Sequence, residues 1–461
     1  MKTECNKKVT RKTASQPVAL SPLGRQQIVL DFAGGRITSD AGVLVLREVN
    51  GRLNLSRRIA ACIKGPRDPD LIVHEQHTMI AQRMLAIACG WEDLNDQQEL
   101  RKDPAWQIAA GRKVDGQQPL ASPPTLCRLE NRVDRAACVS LAKLMVEQFI
   151  ESYPEPPQEL ILDFDATNDP IHGQQEGRFF HGYYDEYCYL PLYVFCGSRL
   201  VCAYLRRSNI DATHHAWALL GLLTRLLQQV WPKVRIIFRG DSGFCRWRML
   251  RWCDRRNISY IIGVARNSVL ESMAAGLMRQ AEAQYQTTGV KQRLFESMEY
   301  GAETWDQKRR VIAKAEHSSE GPNPRFVVTN LSDEGQTLYD AVYCARGQAE
   351  NYIKEQQLGL FADRTSCHNF AANQFRVLLS GFAYILVDDL RRNVLHGTEL
   401  AAAQADTIRL KLFKIGAVIK ASVRRLVLHL SEAYPLRELF ILACRRLAAL
   451  RPASPVQQMS G

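Results

Sequence analysis

Among its 13 cysteines the 461-residue chain has no Cys-x-x-Cys pair and no zinc-ribbon spacing. A structural zinc site is therefore not expected. The odd count and the scatter of thiols through apolar runs such as Val194-Phe-Cys196 and Val201-Cys-Ala203 predict reduced, buried cysteines, as in a cytosolic protein. No run approaches eighteen uninterrupted apolar residues, so no membrane span is expected. Met1 to Lys12 is basic, but no apolar h-region follows before Arg25, which argues against a secretory signal. Internal repeats and low-complexity segments are absent as well.

What the chain does have is size and positive charge. Its length suggests two or three domains and material for a large core. Sixty Lys and Arg against 48 Asp and Glu leave a formal net charge of +12. Such a surplus favours a polyanionic partner, through counterion release where that partner is DNA or RNA.

Pattern changes divide the sequence. Residues 1–25 are polar and basic, expected to form a flexible arm. Residues 26–153 read as mainly helical. Within them Ser122-Pro-Pro-Thr-Leu-Cys-Arg-Leu-Glu-Asn131 has a capping Ser, prolines in the first turn and a helix carrying Arg128 and Arg132. A short basic helix after a Gly/Pro-rich connector is similar to the reading helix of a helix-turn-helix unit, and equally to an ordinary surface helix. Pro154-Glu-Pro-Pro157 is read as a linker. Strands are expected at 159–166, 189–197 and 199–206, a helix from His215 to Val230, a strand from Val234 to Phe238, a helix from Arg246 to Arg256 and a strand from Ile258 to Val264. This is the layout of a ribonuclease H-like α/β core, spanning 158–266. Residues 267–335 read as a β-rich insertion, 336–395 as the second part of the core, and 396–461 as a helical C-terminal region. Its basic residues Arg409, Lys411, Lys414, Lys420, Arg424 and Arg425 have the pattern of a DNA track or of a solvated helix face.

Two strands carry carboxylates among apolar neighbours. Arg235-Ile-Ile-Phe-Arg-Gly-Asp-Ser-Gly-Phe244 puts Asp241 at the C-terminal edge of a buried strand, where α/β sheets concentrate their chemistry. Leu160-Ile-Leu-Asp-Phe-Asp-Ala-Thr167 carries Asp163 and Asp165 on one strand face. A charge inside a strand is costly unless it is paired or binds a metal. Tyr343, Arg346 and Glu350 share a helical face, which Lys354 extends by a turn. By itself that stripe is equally a solvated face with ion pairs.

Tyr343, Arg346 and Glu350 at this spacing resemble the signature helix of DDE transposases from bacterial insertion sequences. Asp165-Ala-Thr167 and the Arg239-Gly-Asp-Ser-Gly-Phe244 turn resemble the first and second acidic positions of those proteins. Together with Tyr183-Tyr-Asp185, Tyr189-Leu-Pro-Leu-Tyr-Val-Phe195, Glu350-Asn-Tyr-Ile-Lys-Glu355 and Ala371-Ala-Asn-Gln-Phe-Arg376, the chain resembles insertion-sequence family 1380 from about Asp31 to Leu430. The resemblance implies Asp165, Asp241 and Glu350 as the catalytic triad, holding two Mg²⁺ or Mn²⁺ ions. Hard cations prefer carboxylate oxygens, and two of them can flank a scissile phosphate. Either Asp163 or Asp165 can hold the metal, and the Asp-x-Thr pattern favours Asp165. Tyr343, Arg346 and Lys354 would contact the DNA backbone. Where the family has a Lys seven residues after the Glu, this chain has Gln357, so Lys354 is expected to take over that contact. The implied partners are double-stranded DNA (terminal inverted repeats and target) and a second copy of the chain, in the bacterial cytoplasm at the nucleoid.

Two rival readings share these features. An inactive, transposase-derived repressor would bind DNA without needing three buried acids, and a nuclease of the same fold would cut without joining. Gly240-Asp-Ser-Gly243 also occurs at the nucleophile turn of trypsin-like proteases, but the α/β pattern argues against that. His74-Glu-Gln-His77 does not have the spacing of a zinc-protease helix.

Overall fold

The computed structural model of the chain describes residues 17–65, 68–114, 118–211 and 213–450. Residues 1–16 of the expected arm lie outside these. From Val18 the chain is a strand rather than an arm, with Val18–Leu23 pairing antiparallel to Gln26–Leu30 in an exposed hairpin.

Helices then dominate to residue 151, including α1 (Val43–Leu53), α2 (Gln76–Ala88) and α3 (Arg135–Glu151). Their apolar faces form one core with residues from beyond position 370. Asp40 ties the two ends of the chain together. Its carboxylate accepts from Trp91 Nε1 (2.9 Å) and Trp106 Nε1 (3.2 Å) and pairs with Lys414 Nζ (2.8 Å).

After Pro154-Glu-Pro-Pro157 the hydrophobic period changes from helical to alternating, and a nine-stranded mixed sheet begins. Its main strands are β1 (Glu159–Ala166), β2 (Leu192–Cys196), β3 (Arg199–Tyr204), β4 (Arg235–Gly240), β5 (Ser259–Val264), β6 (Gln292–Tyr300), β7 (Arg309–Ser318) and β8 (Arg325–Thr329). They lie in the order β6-β7-β8-β5-β4-β1-β2-β3. β1, β4 and β5 are parallel, and the remaining pairings are antiparallel. Helices α4 (Ala216–Val230) and α5 (Trp247–Arg256) connect β3 to β4 and β4 to β5. Leu160, Leu162 and Phe164 face the larger core with these helices, which leaves Ile161, Asp163 and Asp165 on the opposite face. That second face has a smaller core built on Ile237, Ile261, Ile312, Val327, Leu338 and Tyr339.

Two expectations need correction. Residues 267–335 are β-rich only in their second half. They open with the 21-residue helix α6 (Ser268–Thr288), and β6, β7 and β8 extend the central sheet beyond β5. The C-terminal region is not all helical. Ala417–Ala421 pairs with Leu426–Leu430 and with Ile37–Thr38 in a small sheet before the last helix, Arg437–Ala449. The branched and aliphatic residues of Leu426–Leu430 suit a strand, and it pairs with Ala417–Ala421, which in turn pairs with Ile37–Thr38 almost four hundred residues away.

The segment bearing Tyr343 and Glu350 is an irregular helix rather than one regular rod. A π-helical turn (Leu338–Tyr343), a 3₁₀ turn (Cys344–Arg346), α7 (Gly347–Lys354) and a second π-helical turn (Glu355–Gly359) follow one another. It lies over the smaller core. Next comes α8 (Phe370–Asn393), which by length and composition is apolar enough to cross a membrane. Of its most apolar window 78% is buried inside the protein, so its apolarity is accounted for by core packing. The twelve cysteines among the described residues are all free thiols.

Candidate active site

Strand register builds the site. β1 and β4 run parallel with Asp163 beside Arg239 and Phe164 beside Gly240. One step further, Asp241 follows the end of β4, and its charge bears on Asp165 near the end of β1. Asp163 is not free to hold a ligand. Both its oxygens are engaged by the buried Arg239 guanidinium, through Nε and through Nη2 at 2.6 Å. Arg239 also donates to the carbonyl of Val342, tying the strand pair to the irregular helix. Burial raises the Asp163 carboxyl pKa, and Arg239 works against that rise.

Asp165 has a different neighbourhood. Arg346 Nη1 lies 3.3 Å from its Oδ2, and Arg346 Nη2 donates to Glu350 Oε1 at 2.5 Å. Burial pushes the Asp165 carboxyl up to about 7. The charges of Asp241 and Glu350 add to the rise and Arg346 opposes it, so the three acids sense one another. For Arg346 burial acts downward, but the charges of Asp165 and Glu350 hold its pKa above the ordinary value. Asp241 also caps the turn that follows β4, its Oδ1 accepting from the Gly243 amide at 2.9 Å.

Tyr343 completes this side. A Cβ at Gly263 would stand 2.5 Å from the Tyr343 hydroxyl and 3.0 Å from the Ser242 amide nitrogen. Glycine on β5 therefore leaves the space that the phenol fills beside Asp241. Lys354 is exposed one turn beyond Glu350. Tyr343, Arg346 and Glu350 thus converge on Asp165 and Asp241, whereas Lys354 stays at the solvent edge.

Gln357 is drawn inward. Its Nε2 donates to the Asn168 carbonyl at 3.0 Å, and its Oε1 accepts from Thr167 Oγ1 at 3.4 Å. The position expected to carry a phosphate-gripping Lys instead braces the loop after Asp165. Sequence reasoning missed this role and that of Arg239, although an Arg inside an apolar strand signals a buried partner. Glu355 is structural too, pairing with Arg391 at 3.0 Å and accepting from the Ala405 amide at 2.6 Å.

Outside the centre, Arg128 is exposed on Pro123–Asn131, while Arg132 turns back to Gln76. That helix is held to α2 by the buried pair Arg83–Glu130 at 2.8 Å. Arg409 and Lys414 are engaged within the protein rather than solvated. Arg409 donates to the carbonyls of Ala88 and Gly359, and Lys414 pairs with Asp40. Trp305 packs edge-on to Tyr300 at 5.5 Å.

The donor set is all oxygen, three carboxylates against one guanidinium, which is the chemistry Mg²⁺ or Mn²⁺ selects. Among the described residues no three such side chains stand close enough to hold an ion as they are placed. Arg346 bridges Asp165 and Glu350 and supplies the positive charge that the acids require.

The sequence model of the family described as transposase DDE domain group 1 matches residues 20–452. No curated protein matches the chain. Among solved structures it is similar to the piggyBac transposase synaptic complex with hairpin DNA, at 9% identity over 82% of this chain and 80% of that one, with a TM-score of 0.39. A family match over nearly the whole length, on a chain that brings Asp165, Asp241 and Glu350 around one arginine, makes this protein a member of the DDE transposases of group 1.

Proposed function

We propose that the protein binds the terminal inverted repeats of its transposon and cuts and joins the DNA ends by metal-dependent phosphoryl transfer. The observation that carries this is the gathering of acids about one arginine: Arg346 joins Asp165 to Glu350, and the charge of Asp241, just past the end of β4, bears on Asp165. The strand order β3-β2-β1-β4-β5 supports a ribonuclease H-like core.

Asp165, Asp241 and Glu350 would hold the two ions. When bound, the ions supply an activated water or 3′-hydroxyl and stabilise the leaving oxygen. The chain's own groups do the rest. Arg346, released from the carboxylates, neutralises a non-bridging phosphate oxygen by charge-assisted hydrogen bonds. The Tyr343 hydroxyl, held over Gly263, fixes the backbone beside Asp241. Lys354, exposed beyond Glu350, contacts the phosphate further along. Arg239 keeps Asp163 neutralised and β1 in register, and Gln357 steadies the Asp165 loop. The helical segment 26–153, with Arg128 exposed, would read the repeats. Two copies would act together on the two ends, in the bacterial cytoplasm.

The test is Mg²⁺-dependent cleavage of DNA carrying the gene's own flanks, comparing wild type with Asp241→Asn and mapping the ends. Specific cuts at flanking inverted repeats, lost in the variant, are expected. Specific binding without cutting under both Mg²⁺ and Mn²⁺ would favour a repressor, and cutting retained by the variant would remove Asp241 from the site.

A further inference from the structure

Beside the carboxylates stands a short hairpin whose aromatic side chains face solvent. Its strands, Phe179–His181 and Glu186–Tyr189, pair antiparallel, and Asp185 in the connecting turn takes a left-handed conformation (φ 54°). Tyr183 at the tip is 84% exposed and Phe180 52%, with Phe179 and Tyr187 also exposed. Four large aromatic surfaces in one small element are more than the scattered exposure usual on a soluble surface.

The element is braced rather than loose. Ser208 Oγ donates to the Phe179 carbonyl at 2.8 Å, and Tyr184 packs beneath the tip, its ring 5.0 Å from both His181 and Tyr183. Phe180 and Tyr187 meet edge to face at 5.6 Å. The hairpin is fixed to the candidate site through the loop after Asp165. Asn168 donates to Glu186, and Asp169 pairs with Tyr189. The charges of Asp165 and Asp241 reach the Tyr184 phenol. Arg178 lies over the Tyr187 ring at 4.8 Å, adding a cation at the flank.

Aromatic faces beside a cation and a phosphate-handling site match the chemistry of single-stranded nucleic acid, whose bases stack and whose backbone is anionic. We propose that Phe180, Tyr183 and Tyr187 form a stacking platform for unpaired bases of the DNA strand whose phosphate is held at Asp165 and Asp241. This rests on the function proposed above.

The experiment measures, with the full-length protein and Ca²⁺ in place of Mg²⁺, binding of a blunt duplex carrying the gene's own flanking end and of the same duplex ending in a few unpaired nucleotides. One unpaired base is 2-aminopurine, whose fluorescence is quenched on stacking. Wild type should bind the tailed duplex about fivefold or more tightly, the lower end of what stacking one base on an aromatic ring gives, and should quench the probe. Tyr183→Ala and Phe180→Ala should lose that preference and the quenching while binding blunt duplex as before, and Tyr183→Trp should retain both. Variants that keep the preference and the quenching overturn the platform and leave the proposed function standing, as does wild type binding both duplexes equally. Wild type binding neither duplex overturns both. If Tyr183→Ala instead alters the oligomeric state of DNA-free protein and spares the tail preference, the aromatics join copies of the chain and the proposal fails.

Discussion

Replacing Asp165 by Asn should stabilise the metal-free protein at neutral and alkaline pH while removing its response to Mg²⁺. The carboxyl is moved by folding from an ordinary 3.8 to about 7. A tenfold change in acidity is worth about 1.4 kcal/mol, so the ionised group costs the fold roughly 4 kcal/mol at most, before Arg346 and the neighbouring acids readjust. The sign follows from the raised value. Below about pH 4 the acid is protonated in both folded and unfolded chains and costs nothing. As pH rises the unfolded chain ionises first, and stability falls until the folded pKa near 7 is passed. Asn carries no such charge. Thermal unfolding in EDTA at a series of pH values should therefore show the variant and wild type converging in acid and the variant ahead by up to a few degrees above pH 7, given the unfolding entropy of a chain this long. Mg²⁺ at alkaline pH should raise the wild-type midpoint and leave the variant's unchanged, since a ligand stabilises only the state it binds. Parallel pH profiles for the two proteins would refute the assignment of Asp165 as the strained, cation-seeking carboxylate.

Asp163→Ala should act in the opposite direction. It strands the buried Arg239 guanidinium without its partner and should cost about 3–5 kcal/mol, measured by denaturant unfolding; a loss under about 1 kcal/mol would mean the pair is not needed. Gln357→Ala removes the bond to the Asn168 carbonyl and should cost about 1 kcal/mol of stability. Its larger effect should be slower end cleavage at unchanged DNA affinity. Gln357→Lys retains a donor for that carbonyl and should cleave much as wild type does; a sharp rise in cleavage would show that a phosphate-gripping Lys is missing from this position.

Much of this architecture was legible because it is local. The strand over 159–166 reads directly from its apolar alternation, and Asp241 at a strand end from the abrupt Gly-Asp-Ser-Gly turn. The spacing of Tyr343, Arg346 and Glu350 pointed to one face, and the residues do converge, though on an irregular helix whose π turns no spacing rule anticipates. Helix α6 escaped notice because its buried stripe consists of Leu270, Ala274 and Ala281, too small to produce a strong period. The strands Ala417–Ala421 and Leu426–Leu430 were hidden by Lys420, Arg424 and Arg425, which give the stretch the look of a basic helix. The brace at Gln357 depends on bringing together residues almost two hundred positions apart, which local pattern cannot show.

Asp163 and Asp165 make the limit of local pattern concrete. They are the same residue type, two apart, on the same face of the same strand, and sequence alone leaves either able to hold the metal. What separates them is the opposing strand. In the parallel register Asp163 meets Arg239, still inside β4, and becomes a buried strut. Asp165 lies past the last residues paired between β1 and β4, where the charge of Asp241 bears on it and its arginine, Arg346, comes from the irregular helix instead of the strand. One pair neutralises itself, and the other gathers negative charge that Arg346 offsets. Shifting the β1–β4 register by two residues would exchange these roles. Because Arg239 engages both Asp163 and the Val342 carbonyl, this ion pair would determine which aspartate is left to serve the proposed site.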